Sequence, residues 1–440
     1  MKPLISPESK ISYNYLIQWM IIAIVAGLMG AIVINGFSFI IGHIQSFLLS
    51  FERVPLFLWP VVGAVLVGFF IYPIAPGARG EGIPSYLIAI RKHGGRLSGW
   101  ETICKFAAAT VTLGTFGNGG LLGPVGRVSA GVMSLIQQKN PHKMDSDHKI
   151  IYPICGLAAV FGALFHSSIG AGVFAVEIIQ KSDMSYRRLF PAILASTASV
   201  FFAQILGFEP LIVMSTLHKS VAPSIMGIIL LLALVSGITG RAFIMLYALV
   251  AKAFHREKGL TTCGVTIRAI LGSAIAGSLV YVFNPHLMGT STKILTYLFE
   301  GDKSFLYGIL PPGTSLSLVI VLIILVKALA NTVTVGSGMS AGFAGPAVFI
   351  GLLLGALFAE IFHIPWGSPE YYALLVAGFA GMFSSTMNTP IASAILGVEL
   401  FGLYYSLPSG LAAIIGFQIN RSRTLYDMVL KEETNHEADL

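Results

Sequence analysis

The sequence predicts an all-α polytopic membrane protein made of two related halves, and three observations support this prediction. Of the 440 residues, 55% are hydrophobic and only 11% are charged. Runs without Asp, Glu, Lys or Arg recur along the chain, the first at residues 11–51. A helix that spans a bilayer needs about 20 predominantly apolar residues. The third observation is a glycine-rich pattern that returns 222 residues later.

The uncharged runs define the order of the segments. We expect an N-terminal segment at 1–14, a first transmembrane repeat at 15–215, a second at 216–418 and a tail at 419–440. Several runs are longer than one span requires, and the chain contains 48 Gly and 21 Pro, which interrupt regular helices. We therefore expect more than ten segments, many of them broken or re-entrant.

The glycine-rich pattern is G-x-x-G-P, which reads GLLGP at 120–124 and GFAGP at 342–346. Proline fits the first turn of a helix because its missing N–H would have no partner there, and glycine lets other groups approach closely. A broken helix whose N-terminus faces the membrane interior offers free N–H groups and a positive dipole end. The pattern therefore predicts an anion site.

The same offset aligns residues well beyond this motif. Lys105 falls on Lys327 and Glu177 on Glu399, within a gapless register of roughly 70 residues. This register indicates two equivalent halves, unless Gly- and Ala-rich helices simply resemble one another. It does not distinguish parallel from inverted repeats, although inverted repeats are common among transporters. We expect the glutamates to interact with a helix end or a polar group, and the lysines to reach an interface or pair internally.

These motifs and their order resemble those of the CLC family of chloride channels and chloride/proton exchangers. The chain reads GEGIP at 80–84 where the family has G-S-G-I-P, and Tyr426 matches the family's C-terminal tyrosine. The resemblance implies inverted repeats, a homodimer with one pore per subunit, cytoplasmic termini, and chloride as ligand without a cofactor. The family's cytoplasmic regulatory domain is expected to be absent. By this resemblance the anion-binding residues are Gly80, Glu81, Gly82, Ile83, Pro84, Leu121, Leu122, Gly123, Pro124, Phe343, Ala344, Gly345 and Tyr426.

Three positions depart from the family pattern. Leu122 stands at the gate position, where the family's glutamate can occupy the anion site, take up a proton and swing away. Ile178, next to Glu177, stands at the inner proton-site position of the exchangers. Ala344 stands where the third motif normally has phenylalanine, with Phe343 one place earlier. Because both carboxylates of a proton path are missing, we expect passive anion transport that is not coupled to protons.

Glu81 stands where the family has serine, and three arrangements of its side chain are open. An ionised carboxylate about 4 Å from a chloride ion costs about 4 kcal/mol at an effective dielectric near 20, which is roughly a thousandfold in occupancy. Glu81 can point away to the cytoplasmic vestibule, stay protonated through burial, or act as a relocated gate that competes with the anion and carries protons. The first orientation is the favoured one.

The predicted function is passive transport of chloride or another monovalent anion. The alternatives are a chloride/proton exchanger with Glu81 as its relocated gate, and a non-conducting membrane sensor or scaffold in which Leu122 seals the pore. An enzyme is not expected, because the sequence has no H-E-x-x-H motif and no paired aspartates in its spans.

Partners and location follow from charge and length. The net charge of +7 is spread over short loops, which is typical of topology signals and contacts with the lipid bilayer. Neither a nucleic-acid partner nor a metal site is expected. The compact chain favours a bacterial-type inner membrane.

Overall fold

The structure, a computed structural model, describes residues 7–139, 146–179, 186–210, 221–254, 262–308, 310–311, 313–421 and 426. Within these ranges the chain forms sixteen α-helices, and the only β-type pairing is an isolated bridge between Gly120 and Gly342. Seven of the helices in the described part of the chain are long and apolar enough to cross a membrane. The all-α polytopic fold predicted from the uncharged runs is confirmed.

The helices fall into two sets of eight. The first set comprises α1 (Pro7–Leu49), α2 (Trp59–Leu66), α3 (Ile83–Lys92), α4 (Gly99–Gly114), α5 (Leu122–Lys139), α6 (Ser146–Phe165), α7 (Ile169–Glu177) and α8 (Tyr186–Ile205). The second set comprises α9 (Met226–Phe254), α10 (Thr262–Phe283), α11 (Thr292–Glu300), α12 (Leu316–Gly336), α13 (Ala344–Ile361), α14 (Pro369–Met387), α15 (Pro390–Phe401) and α16 (Ser406–Asn420).

Several helices are too short to span a bilayer. Helices α3, α7 and α11 contain 10, 9 and 9 residues, whereas a span needs about 20. They correspond to the broken and re-entrant helices that the glycine and proline content predicts.

Two of the predicted segment boundaries fall inside a helix or outside the described residues. Helix α1 begins at Pro7, so residues 7–14 belong to the same helix as the first span. The boundary between the repeats at 215/216 lies outside the described residues, as does most of the predicted tail at 419–440.

A reciprocal bridge relates the two halves. Gly120 N–H donates to Gly342 O, and Gly342 N–H donates to Gly120 O, both at 2.8 Å. These residues are 222 apart, so the bridge joins a residue to its own counterpart and lies on an approximate two-fold axis. The contact is isologous, like the interface of a two-fold dimer.

Glu177 and Glu399 also make equivalent contacts from each half to the other. Glu177 accepts backbone N–H bonds of 3.0 and 2.8 Å from residues 391–392 at the start of α15. Glu399 accepts bonds of 2.9 and 2.8 Å from residues 169–170 at the start of α7. The expectation that these glutamates meet a helix end is confirmed. The halves form inverted repeats, and each stabilises a helix N-terminus of the other.

Small residues let the central helices approach closely. A Cβ on Gly156 of α6 would collide with the carbonyl of Ser129 on α5, and a Cβ on Gly378 of α14 would collide with the carbonyl of Gly351 on α13. The two pairs are related by the same offset of 222. Close backbone approach at small residues is typical of helix packing in membranes, and it brings the starts of α5 and α13 to the centre of the molecule.

Candidate anion site

Three helix N-termini converge at the two-fold axis. The bridge between Gly120 and Gly342 holds together the approaches to α5 and α13. Glu81, in the turn before α3, lies against the first turn of α5, so closely that a Cβ on Gly123 would collide with its carboxylate. The backbone amide of Phe343, at the start of α13, also interacts with this carboxylate. Free N–H groups and three positive dipole ends therefore face one point.

The turn that carries Glu81 is built from glycine and fixed by a buried lysine. Gly80 and Gly82 have φ angles of +66° and +110°, which favour glycine because it lacks a Cβ. Pro84 lies in the first turn of α3. Lys105 Nζ donates to the carbonyls of residues 78–80, at 3.2, 3.2 and 2.6 Å. The lysine charge is thus placed directly behind the turn.

The Glu81 carboxylate occupies the centre of the site. Its side chain is buried, with 1% exposed. Oε2 accepts the backbone N–H of Ile83 at 2.7 Å, and the hydroxyl of Tyr426 lies 3.4 Å from Oε1. The carboxylate therefore uses the N–H and O–H donors that the resemblance assigns to the anion. The orientation towards the vestibule, favoured on the sequence, is wrong, because α3 and Tyr426 supply donors at the centre.

The remaining predicted residues surround this point with apolar groups. Leu122, Pro124 and Ala344 are buried in the first turns of α5 and α13, and Leu121 is half-buried. The backbone of Gly345 packs on the opposite approach segment. These residues contribute backbone and shape to the site, and none carries a side-chain donor.

Comparison with known proteins identifies the family. The family described as voltage gated chloride channel matches residues 63–421. The chain belongs to the CLC family. CLC proteins carry anions across membranes, either as channels or as antiporters.

Individual relatives of this CLC chain extend over most of its length. An uncharacterized protein of Methanocaldococcus jannaschii is 25% identical over 421 residues, covering 95% of this chain and 97% of that protein. A chloride/fluoride channel protein of Pseudomonas syringae is 24% identical over 302 residues, covering 67% of this chain and 61% of that protein.

Two solved structures share the fold. A CLC-type fluoride/proton antiporter matches with a TM-score of 0.80 at 19% identity, covering 94% of this chain and 98% of that one. A slow cyanobacterial Cl⁻/H⁺ antiporter matches with a TM-score of 0.78 at 18% identity, covering 94% and 97%. At these identities the matches establish the architecture of this CLC protein.

The inner proton-site position of this CLC chain is apolar, and its acidic neighbour is engaged. Ile178 caps the end of α7 and is 7% exposed. Both oxygens of Glu177 accept N–H bonds from the start of α15. A carboxylate that loses its charge weakens such bonds, and the helix dipole then loses its counter-charge. The geometry therefore gives Glu177 a structural role.

Arg127, which none of the sequence motifs includes, lies in α5 one helical turn beyond Gly123. Its side chain is buried, and it donates to Ser85 Oγ and Thr102 Oγ1 at 3.1 Å each, while Nη2 lies 3.6 Å from Glu101 Oε2. A sequence signal existed, because residues 106–138 contain no other Asp, Glu, Lys or Arg. A lone charge within an apolar segment indicates a functional or paired group.

Proposed function

We propose that this CLC protein conducts monovalent anions passively, chloride first, and that the Glu81 carboxylate is its gate. The observation that carries this proposal is that the carboxylate occupies the centre of the site, against the N–H of Ile83 and the first turn of α5. An anion that enters the site requires these same donors. The carboxylate and the anion therefore compete for one place.

Because of electrostatic repulsion, the ionised carboxylate and the anion almost never occupy the site together. Two unit negative charges about 4 Å apart repel by about 4 kcal/mol at an effective dielectric near 20, roughly a thousandfold in occupancy. Protonation removes the charge of Glu81 and weakens its hold on the N–H donors. The neutral side chain can then leave, and the anion takes its place. Acid is thus expected to open the path.

Proton-coupled exchange is the second candidate, and the same carboxylate favours it. Glu81 can carry a proton when the anion displaces it, as a relocated gate would. Passive transport is favoured because Ile178 cannot carry a proton and Glu177 is held by the start of α15. A coupled cycle needs a proton route that reaches the other side of the membrane.

We also propose an oligomeric state, a topology and a membrane for this protein. The family resemblance supports a homodimer with one pore per subunit, cytoplasmic termini and a bacterial-type inner membrane. Chloride is the transported ligand, and no cofactor is required.

Chloride efflux from liposomes that contain the purified protein, with external pH recorded at the same time, tests the proposal. We expect chloride efflux without proton movement, increased at acid pH by up to about tenfold per pH unit, as for a single titrating group. The Glu81→Gln and Glu81→Ala variants should conduct at a high rate that no longer depends on pH.

Each other result identifies a different function. Protons driven uphill by chloride would establish the exchanger and refute passive transport. If neither the protein nor either Glu81 variant carries any monovalent anion, the remaining function is the non-conducting sensor or scaffold.

A further inference from the structure

Two arginines lie together where the segment after α2 meets α4 and α10. Arg79 lies between α2 and α3, and its guanidinium carbon is 5.8 Å from the centre of the Tyr72 ring. Arg268 lies in the second turn of α10, and its Nη1 donates to the carbonyl of Phe254, the last residue of α9, at 3.1 Å. The two guanidinium charges are close enough to repel each other.

A small apolar cluster fixes the backbone on which these arginines are mounted. The cluster joins Tyr72 and Ala78, from the segment after α2, to Val265 of α10. Ala78 directly precedes Arg79 in the chain. Val265 lies three residues, about one helical turn, before Arg268. Because all three apolar side chains are buried, the packing holds the two arginines beside each other.

No carboxylate of the described chain neutralises this pair. The described ion pairs are Arg127–Glu101 and Lys303–Glu360. Arg79 Nε and Arg268 Nε are both buried, and neither has a hydrogen-bond partner among the described residues. A buried charged donor without a partner is unfavourable, and the repulsion between the two guanidinium groups adds to this cost. The pair therefore has both the charge and the donors to bind an anion.

The chemistry of the donors favours an oxyanion. A guanidinium group is planar, and its N–H donors form a fork that matches two oxygens of a phosphate or a carboxylate. Arg79 and Arg268 are each half-buried, so part of each side chain is accessible from outside the protein. A phosphate group has enough oxygens to accept hydrogen bonds from both arginines.

The surface around the pair is apolar and exposed. Its large side chains come from the segment after α2, from α4 and from α10, and they are Ile74, Trp100, Ile103, Ile267 and Leu271. Trp100 Nε1 donates to the carbonyl of Ile74 at 3.2 Å. Tryptophan is enriched where a protein meets the boundary between membrane and water. In a membrane protein, an exposed apolar surface of this kind contacts lipid tails.

We propose that Arg79 and Arg268 bind the phosphate headgroup of an anionic lipid, whose acyl chains lie on the apolar surface of α4 and α10. Basic pockets between membrane helices bind anionic lipid headgroups in this way. The arginines supply charge and N–H donors to the phosphate, and the surrounding apolar side chains accept the tails. A free phosphate ion uses only the first of these two features.

Arg79 connects this lipid site to the Glu81 turn. The carbonyl of Arg79 accepts a hydrogen bond from Lys105 Nζ at 3.2 Å, as do its two neighbours in the chain. Tyr72, which lies beneath the Arg79 guanidinium, donates its hydroxyl to the carbonyl of Gly338 at 2.6 Å. A lipid phosphate held by Arg79 therefore supports the segment that leads into the turn. Because this lipid binds the folded chain, it should raise the unfolding temperature.

Thermal unfolding of the purified full chain in detergent tests the proposal. The unfolding temperature is measured while dioleoylphosphatidylglycerol is added, and again with dioleoylphosphatidylcholine, which has the same tails but no net charge. We expect the anionic lipid to stabilise the protein at lower concentration. Arg79→Gln and Arg268→Gln should each need about tenfold to a hundredfold more anionic lipid for the same rise, because hydrogen bonds to a charged group are lost.

Two further sets of variants separate a built site from general attraction. Arg241→Gln removes an exposed arginine from α9, and this matched control should respond to the anionic lipid as the unchanged protein does. Arg79→Lys and Arg268→Lys keep the charge but lose the planar fork, so their response should fall between those of arginine and glutamine.

Several results would overturn the proposal. An equal response of the unchanged protein to both lipids does so without any variant, as does equal stabilisation by inorganic phosphate, which would indicate a site for the free ion. Variants of Arg79 and Arg268 that respond like the unchanged protein, or an equal loss in Arg241→Gln, would also refute it. None of these measurements depends on chloride transport, so the test is independent of the proposed function.

Discussion

The position of the Glu81 side chain is set by residues that lie far from it in the sequence. The GEGIP motif indicates a turn before a helix, but the direction of the side chain depends on donors from distant segments. Ile83 N–H, the start of α13 and the Tyr426 hydroxyl all converge on the carboxylate. Tyr426 is 345 residues away in the chain. Local sequence therefore predicted the turn but not the carboxylate's position.

Lys105 supports a prediction at the same scale, with Lys327 as its matched control. Each lysine is buried and donates to carbonyls of a turn, but only Lys105 holds the turn that carries Glu81. We expect both Lys105→Met and Lys327→Met to lose stability, by about 1–3 kcal/mol for each carbonyl left without a donor, with three carbonyls affected in the first variant and two in the second. Only Lys105→Met should also weaken chloride binding, by about tenfold, because it removes a nearby positive charge.

Calorimetric chloride titration in the Glu81→Gln background, where the proposed gate carries no negative charge, measures this difference. Thermal unfolding in detergent measures the stability of each variant. Equal losses of chloride affinity in the two lysine variants would refute the electrostatic role of Lys105. Lys105→Arg keeps the charge and should retain most of the affinity.

At the scale of elements, the reciprocal caps join the two halves. Glu177 and Glu399 each accept two backbone N–H bonds from a helix of the opposite repeat. We expect Glu177→Gln to destabilise the protein by about 1–3 kcal/mol, because charged hydrogen bonds and a favourable dipole interaction are lost. Glu399→Gln should have an effect of similar size. Thermal unfolding of both variants measures it.

This prediction separates a cap from a proton relay. A relay at Glu177 would change chloride flux or proton movement in Glu177→Gln while leaving the unfolding temperature unchanged. That result would contradict the structural role that the hydrogen bonds indicate.

The helices differ in how well the sequence predicts them. The offset of 222 aligns α5 with α13 and α6 with α14, because the repeats keep the same helix lengths and the same glycines at close crossings. The start of α1 was harder to predict, since polar residues at 7–14 continue the helix of the first span. Arg127 was missed because its partners, Ser85 and Thr102, lie on other helices.

At the scale of the whole molecule, a nearly symmetric scaffold contains an asymmetric site. The bridge, the caps and the lysine-bound turns occur in both repeats. The exception is Glu81. The turn before α3, which Lys105 holds, carries this carboxylate, whereas the turn before α11, which Lys327 holds through the carbonyls of Leu287 and Gly289, carries Thr290. In an inverted architecture this difference also distinguishes the two sides of the membrane. The orientation of the repeats therefore decides on which side of the membrane each lysine-bound turn lies.

That orientation leads to a prediction about accessibility. Lys92 and Glu300 are exposed at the ends of α3 and α11, the short helices that follow the two lysine-bound turns. Arg91 and Arg96 flank Lys92 in the chain, whereas Asp302 and Lys303 follow Glu300. In a background where the three native cysteines are replaced by serine, a membrane-impermeant maleimide should label Glu300→Cys on intact cells. It should label Lys92→Cys only after permeabilisation, because Lys- and Arg-rich loops stay in the cytoplasm. Labelling of both variants on intact cells would contradict inverted repeats. Labelling of Lys92→Cys alone would reverse the orientation and place the end of α3 outside the cell.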